Sequence, residues 1–149
     1  MLSSRFVHMI ESHADQIAAG VLHQLRRDPR TPRIAHLSQT ELKDDCQAIL
    51  LNLGHWLTIS PEKEVASRFE QLGRVRRRER VPLEETIHEL HVLKDKMLDY
   101  IRDQGIAQTS VDLYAEEELE HQIGHFFDSA VYHVVHGYEH APEPEIVAR

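Results

Sequence analysis

Apolar residues return every three or four positions along almost the whole chain, and no segment combines strict alternation with enough β-branched residues to read as a strand. The pattern predicts an all-α protein, an antiparallel bundle of four to five helices with short connections. A first helix from about Ser3 to Arg27 sets Phe6, Ile10, Ala14, Ile17, Val21 and Leu25 on one stripe, and Pro29 and Pro32 end it. Ser38-Gln39-Thr40-Glu41 has the Ser-x-x-Glu form of a capping box. It opens a second helix that turns Leu42, Cys46, Ile49, Leu50, Leu53 and Leu57 inward and stops before Ser60-Pro61. Ser60 is expected to cap a third helix, with Pro61 in its first turn and a narrower stripe of Val65, Phe69, Leu72 and Val75. A fourth begins near Pro82, buries Leu83, Ile87, Leu90, Met97 and Ile101, and ends by Gly105. The longest starts after Ser110 with Glu116, Glu117 and Glu118 near its positive end, and buries Leu119, Ile123, Phe126, Phe127, Ala130, Val134 and Tyr138. Residues 1–140 therefore read as one helical domain, and 141–149, with its Pro-Glu-Pro, as a solvated tail or linker.

Composition narrows the function classes. The 149 residues suffice for one core without disulfides or a structural metal, and the single cysteine has no internal partner for a bridge. No apolar run approaches the length of a membrane span or the core of a signal peptide, so the expected location is the cytoplasm, with no membrane contact. With 17 Lys and Arg against 25 Asp and Glu, the net charge of −8 disfavours a nucleic-acid partner. The basic run Arg74-Val75-Arg76-Arg77-Arg78-Glu79-Arg80 falls at a helix C-terminus, where cations complement the dipole. Glu62, Glu64, Glu84 and Glu85 are near enough in sequence to supply its partners, and no aromatic residues interleave for base stacking.

Candidate chemistry is sparse. The pairs Glu85 with His88 and Glu118 with His121 have the spacing of carboxylate-bridged di-metal bundles. Helical geometry turns them outward: from Leu90, His88 lies about 160° away and Glu85 about 140°, and from Ile123 both His121 and His125 lie about 160° away. His121 and His125 remain a surface i, i+4 pair able to hold a transition metal. His88-Glu89-Leu90 matches three residues of a histidine kinase phosphoacceptor box, without its continuation and without a nucleotide-binding motif anywhere. Three polar or reactive residues interrupt apolar stripes: His13, about 40° from the centre of the first core face, Cys46 at the centre of the second, and Lys94, about 40° off centre in the fourth. A ligand pocket, if the bundle has one, is expected between these three. There is no Gly-x-Ser-x-Gly elbow, no His-Glu-x-x-His and no phosphate loop, so the sequence reads as a non-enzyme.

The stretch from Arg74 to Leu98 resembles the central signature of the RsbRD N-terminal domain family: an arginine at Arg77 or Arg78, then Leu83-Glu84-Glu85, Glu89, Leu93-Lys94 and Met97-Leu98. Lys94 stands where the family places arginine. His13-Ala14-Asp15-Gln16-Ile17-Ala18 and Leu22-His23-Gln24-Leu25 resemble its first helix, and Phe127-Asp128-Ser129-Ala130 with Gly137-Tyr138-Glu139 its last. The resemblance implies an all-helical, non-catalytic input module placed before an output domain, such as a sensor histidine kinase or a stress-response antagonist. It names no ligand. The reading that follows is a cytoplasmic sensor or regulatory domain, a homodimer with a downstream signalling domain or protein partner and with no cofactor. The alternative is a haem- or metal-binding bundle using His13 or the His121 and His125 pair.

Overall fold

The first apolar stripe breaks in two. In the computed structural model, which describes residues 2–59, 61–104 and 109–142, α1 (Leu2–Ser12) and α2 (Ala14–Arg27) meet at His13. The His13 backbone leaves the helical region (φ −117°, ψ 26°) while its N–H still reaches the carbonyls of Met9 and Ile10. This corrects the single helix expected from Ser3 to Arg27. Spacing alone does not reveal the bend, because Phe6, Ile10, Ala14, Ile17, Val21 and Leu25 stay buried across it. After a short 3-10 turn at Ile34–His36, Ser38 Oγ accepts the Glu41 N–H at 3.1 Å and starts α3 (Gln39–Leu50), as the capping box predicts. α3 closes well short of Ser60, and the chain rewinds as a π-helical turn, His55–Ile59.

Three long helices complete the bundle: α4 (Glu62–Arg78), α5 (Leu83–Asp103) and α6 (Ser110–Glu139). The start of α6 is capped by Thr109, whose hydroxyl accepts the Asp112 N–H. The expected cap Ser60, the stop at Gly105 and most of the expected tail, from residue 143 on, lie outside the described residues. The described residues contain no strand, and none of their helices is long and apolar enough to cross a membrane.

α4 is rotated from its expected orientation. It buries Val65, Phe69, Gly73 and Arg76, leaving Leu72 and Val75 at the edge. The cause is its partner α6, with which it makes the most extensive helix contact. The two backbones approach so closely that a Cβ on Gly73 would stand 2.3 Å from the Val134 carbonyl oxygen, and one on Gly137 2.2 Å from that of Glu70. Above this crossing, Trp56 and Phe69 each pack on Phe126 (5.9 and 5.7 Å between centroids), and Phe126 on Phe127 (5.2 Å), in tilted and edge arrangements.

α5 is the central helix, contacting α6, α4 and α1 on one side and α2 on another. It buries Glu85, Thr86, Glu89 and Val92 as well as Leu90, Leu93, Met97 and Ile101. Glu85 is consequently buried and His88 only partly exposed, contrary to the angular expectation that both face water. A periodicity argument finds the apolar face of a helix, and α5 is covered on its polar face too.

Gly137→Ala should destabilise the fold by about 1–3 kcal/mol, because neither backbone at the crossing has room to move. Gly124→Ala, on the same helix with nothing within 4 Å of the new Cβ, should stabilise it by about 0.5–1 kcal/mol. Urea midpoints moving in opposite directions would show the glycine contact; midpoints moving together would refute it.

Candidate functional site

A guanidinium without solvent is tolerable only when each of its N–H groups finds an acceptor. Arg76 of α4 is 0% exposed. Its Nε and Nη2 hold the two oxygens of Glu89 on α5 at 3.1 and 3.0 Å, a bidentate pair. Nη2 also donates to Asp45 at 2.7 Å, and Nη1 to Glu41 and Glu79, both at 3.0 Å. Three helices thus converge on one cation: α3 through Glu41 and Asp45, α4 through Arg76 and Glu79, and α5 through Glu89.

Four carboxylates surround one arginine, and Arg68 adds a second cation 3.9 Å from Asp45. Burial raises the pKa values of Asp45 and Glu89, and Arg76 offsets this only in part. Burial opposes the charge of Arg76 as well, but Glu89 and then Asp45 outweigh it, so the guanidinium stays protonated. Glu79 is pushed up to about 7, first by burial and then by hydrogen bonding with the neighbouring Glu41 carboxyl, which Arg76 offsets only in part.

The cluster is tied to its surroundings. One turn before Glu89, the buried Glu85 accepts the backbone N–H groups of Arg33 and Ile34 at 2.9 and 3.1 Å and so caps the 3-10 turn that leads into α3. His88 Nε2 lies 2.8 Å from Asp28, whose carboxyl is held well below the usual range, first by the Arg30 side chain, then by the Arg30 N–H and His88. α4 ends with Arg80 in the left-handed region (φ 60°), and the Val81 N–H bonds back to the Arg76 carbonyl at 3.0 Å. Onto this turn α6 is fastened: Tyr138 Oη donates to the Val81 carbonyl at 2.6 Å, and the Arg77 guanidinium sits 5.3 Å from the Tyr138 ring centre.

The residues singled out by the sequence are placed apart. His13 is exposed at the α1–α2 bend, its Nδ1 2.8 Å from the Met9 carbonyl and its ring 5.4 Å from that of Tyr100. The bend is what moves it off the core face. Cys46 is buried, and burial, followed by Glu89 and Asp45, raises its thiol pKa. The void beside it, about 10 Å³, is lined by Asp45, Ile49, Leu72, Glu89, Leu90 and Leu93, and by neither His13 nor Lys94. Lys94 is half-buried. His121 and His125 are exposed and line a groove beside Trp56. Among the described residues no group of three or more His, Cys, Asp or Glu side chains is placed to hold a metal ion.

The cluster itself escaped the sequence reading. The buried arginine is Arg76, one place before the pair suggested by the resemblance, and its partners are not the neighbouring Glu62, Glu64, Glu84 and Glu85 but Glu41, Asp45, Glu79 and Glu89. A signal was present: Arg76 continues the stripe of Val65, Phe69 and Gly73 at helical spacing.

Over residues 11–146, nearly the whole chain, the sequence matches the RsbT co-antagonist protein rsbRD N-terminal domain, and it belongs to that family. The chain is thus a signalling regulatory domain. No curated protein and no solved structure matches it.

The proton at Glu79 gives a signed pH effect. Its pKa is raised in the fold, so the stability it contributes is fully present below its ordinary value of 4.5 and is lost as pH rises through about 7. Glu79→Gln keeps a donor but does not ionise. Relative to the native protein, it should gain about 1 kcal/mol across that window, a figure discounted for the partial exposure of the carboxyl. Urea unfolding in parallel at several pH values checks it, and a pH-independent difference would show that Glu79 keeps its ordinary titration.

Proposed function

We propose that this domain is a non-catalytic regulatory input module of a bacterial signal-transduction protein, acting through helix packing and protein–protein contacts. The observation that carries the reading is the family match over residues 11–146. The family's description names a co-antagonist protein, and an antagonist role is one that a domain can exercise by binding alone. The expected setting is the cytoplasm, with a second copy of the chain and a downstream signalling domain or protein as partners.

Two features support a mechanism of this kind. α6 runs for 30 residues, about 45 Å, and is fastened to α4 at the glycine crossing and to the α4–α5 turn through Tyr138. A change in how α3, α4 and α5 share Arg76 therefore shifts the seat of α6. The same helix leaves Val111, Tyr114 and Tyr132 at least 64% exposed, apolar surface of the kind a partner covers. A stimulus that binds two such packings with affinities differing by a few kcal/mol suffices to move their populations.

Deleting the coding segment for residues 11–146 in the natural host should change stress-dependent transcription while leaving unstressed growth intact. Transcript profiles indistinguishable from the parent under heat, salt, ethanol and acid stress would contradict the regulatory reading.

A further inference from the structure

A groove of about 380 Å³ opens between the π-helical turn, the first turn of α4 and the middle of α6, away from the Arg76 cluster. Its size is in the range of small-molecule sites. Its walls include Trp56, Leu57 and Phe126 on the apolar side and Glu62, His121 and His125 on the polar side. π-helical turns recur at functional sites, and this one sets Trp56 with its indole N–H already given to the Ala48 carbonyl at 3.0 Å. What Trp56 offers the groove is therefore ring surface.

Glu62 supplies the charge. Its side chain is 72% exposed, yet it is oriented by His133 Nε2 at 2.6 Å and by the Ser129 hydroxyl at 3.2 Å. The His133 contact is the main reason its carboxyl is held below the usual range, so it stays ionised. A carboxylate has about four acceptor positions, and two are engaged here, which leaves acceptor capacity for a ligand. His133 is itself held from behind: it is buried, and its Nδ1, without a hydrogen-bond partner, lies 3.7 Å from Glu70 at the helix crossing. The groove thus joins the Trp56 ring, with Phe126 tilted against it, to one oriented carboxylate in a chain of net charge −8.

We propose that this groove binds a small organic cation with a flat apolar body, its ring against Trp56 and Phe126 and its ammonium group on Glu62. An aromatic wall also favours a cation directly, through the ring quadrupole, whereas an anion of the same shape meets the Glu62 carboxylate. Binding stands independently of the regulatory reading; the idea that the cation is the signal rests on it.

Trp56 is the only tryptophan in the chain, so its emission reports on the groove. Phenethylammonium chloride titrated into the whole protein should change that emission saturably, with a Kd on the order of a millimolar for a ligand so small. Phenethyl alcohol, the same body without the charge, should bind about tenfold more weakly. Glu62→Gln, a change on an exposed side chain, should cut the preference for the cation to about threefold or less, the part left to the aromatic wall, while leaving the circular dichroism unchanged. The absence of a saturable change with the cation, equal affinities in the native protein, or a tenfold preference that survives Glu62→Gln would each overturn the proposal. None of these results touches the transcription test, and failure of that test leaves the binding measurement standing.

Discussion

One buried guanidinium decides how α3, α4 and α5 can lie together. Arg76 has no access to solvent, and every packing that keeps it there must deliver five acceptors to it. Desolvating the cation and its carboxylates costs several kcal/mol per ion, so the cluster is a weak source of net stability. Its effect is selective: any arrangement that withdraws Glu89, or removes α3 with Glu41 and Asp45, leaves buried N–H groups of Arg76 without acceptors. The excess of acids adds a second condition. Burial and the neighbouring Glu41 push the Glu79 carboxyl up to about 7, so the strength of the cluster depends on pH.

The clamp reaches α6 through a short covalent and hydrogen-bonded path. The Arg76 carbonyl accepts the Val81 N–H, and the Val81 carbonyl accepts the Tyr138 hydroxyl. Between these ends, Gly73 and Gly137 let α4 and α6 approach to backbone contact, a fit with no slack for sliding. On the other flank, Glu85 caps the 3-10 turn from the same face of α5 that presents Glu89. Ionic clamp, glycine crossing and capped turn are thus parts of one mechanical unit, and a regulatory domain needs such a unit if a local event is to move a distant helix.

Most of the architecture was legible in the spacing of apolar residues. The stripes of α2, α5 and α6 are buried largely as the 3.6-residue period requires, and the Ser38 capping box marks the start of α3. What periodicity missed has physical causes. The bend at His13 keeps its apolar residues in phase, so no gap announces it. α4 turned away from Leu72 and Val75 because a glycine and a fully paired arginine make a better core face against α6 and α5 than two more aliphatic side chains would. α5 is packed on two sides, which buries Glu85 and half-covers His88 where periodicity assumes one wet face. The partners of Arg76 come from three helices, and local sequence holds no information about which distant carboxylates converge. The resemblance to the family did draw attention to Glu85 and Glu89, the two acids of α5 that the structure places in the clamp and the cap.

The coupling between Arg76 and Glu89 measures the clamp most directly. Arg76→Met, Glu89→Leu and the double variant, compared by urea unfolding at one pH, give that coupling free of the other contacts each residue makes. Arg76→Met strands the buried Glu89, and Glu89→Leu takes two of the five acceptors from Arg76, whereas the double change leaves Glu41, Asp45 and Glu79, whose side chains are 24–30% exposed, able to turn toward water. The double variant should be more stable than the sum of the single losses implies, by about 2–3 kcal/mol. Losses that add to within about 0.5 kcal/mol would mean that the two residues do not depend on each other, and that the packing of α3, α4 and α5 rests on something else.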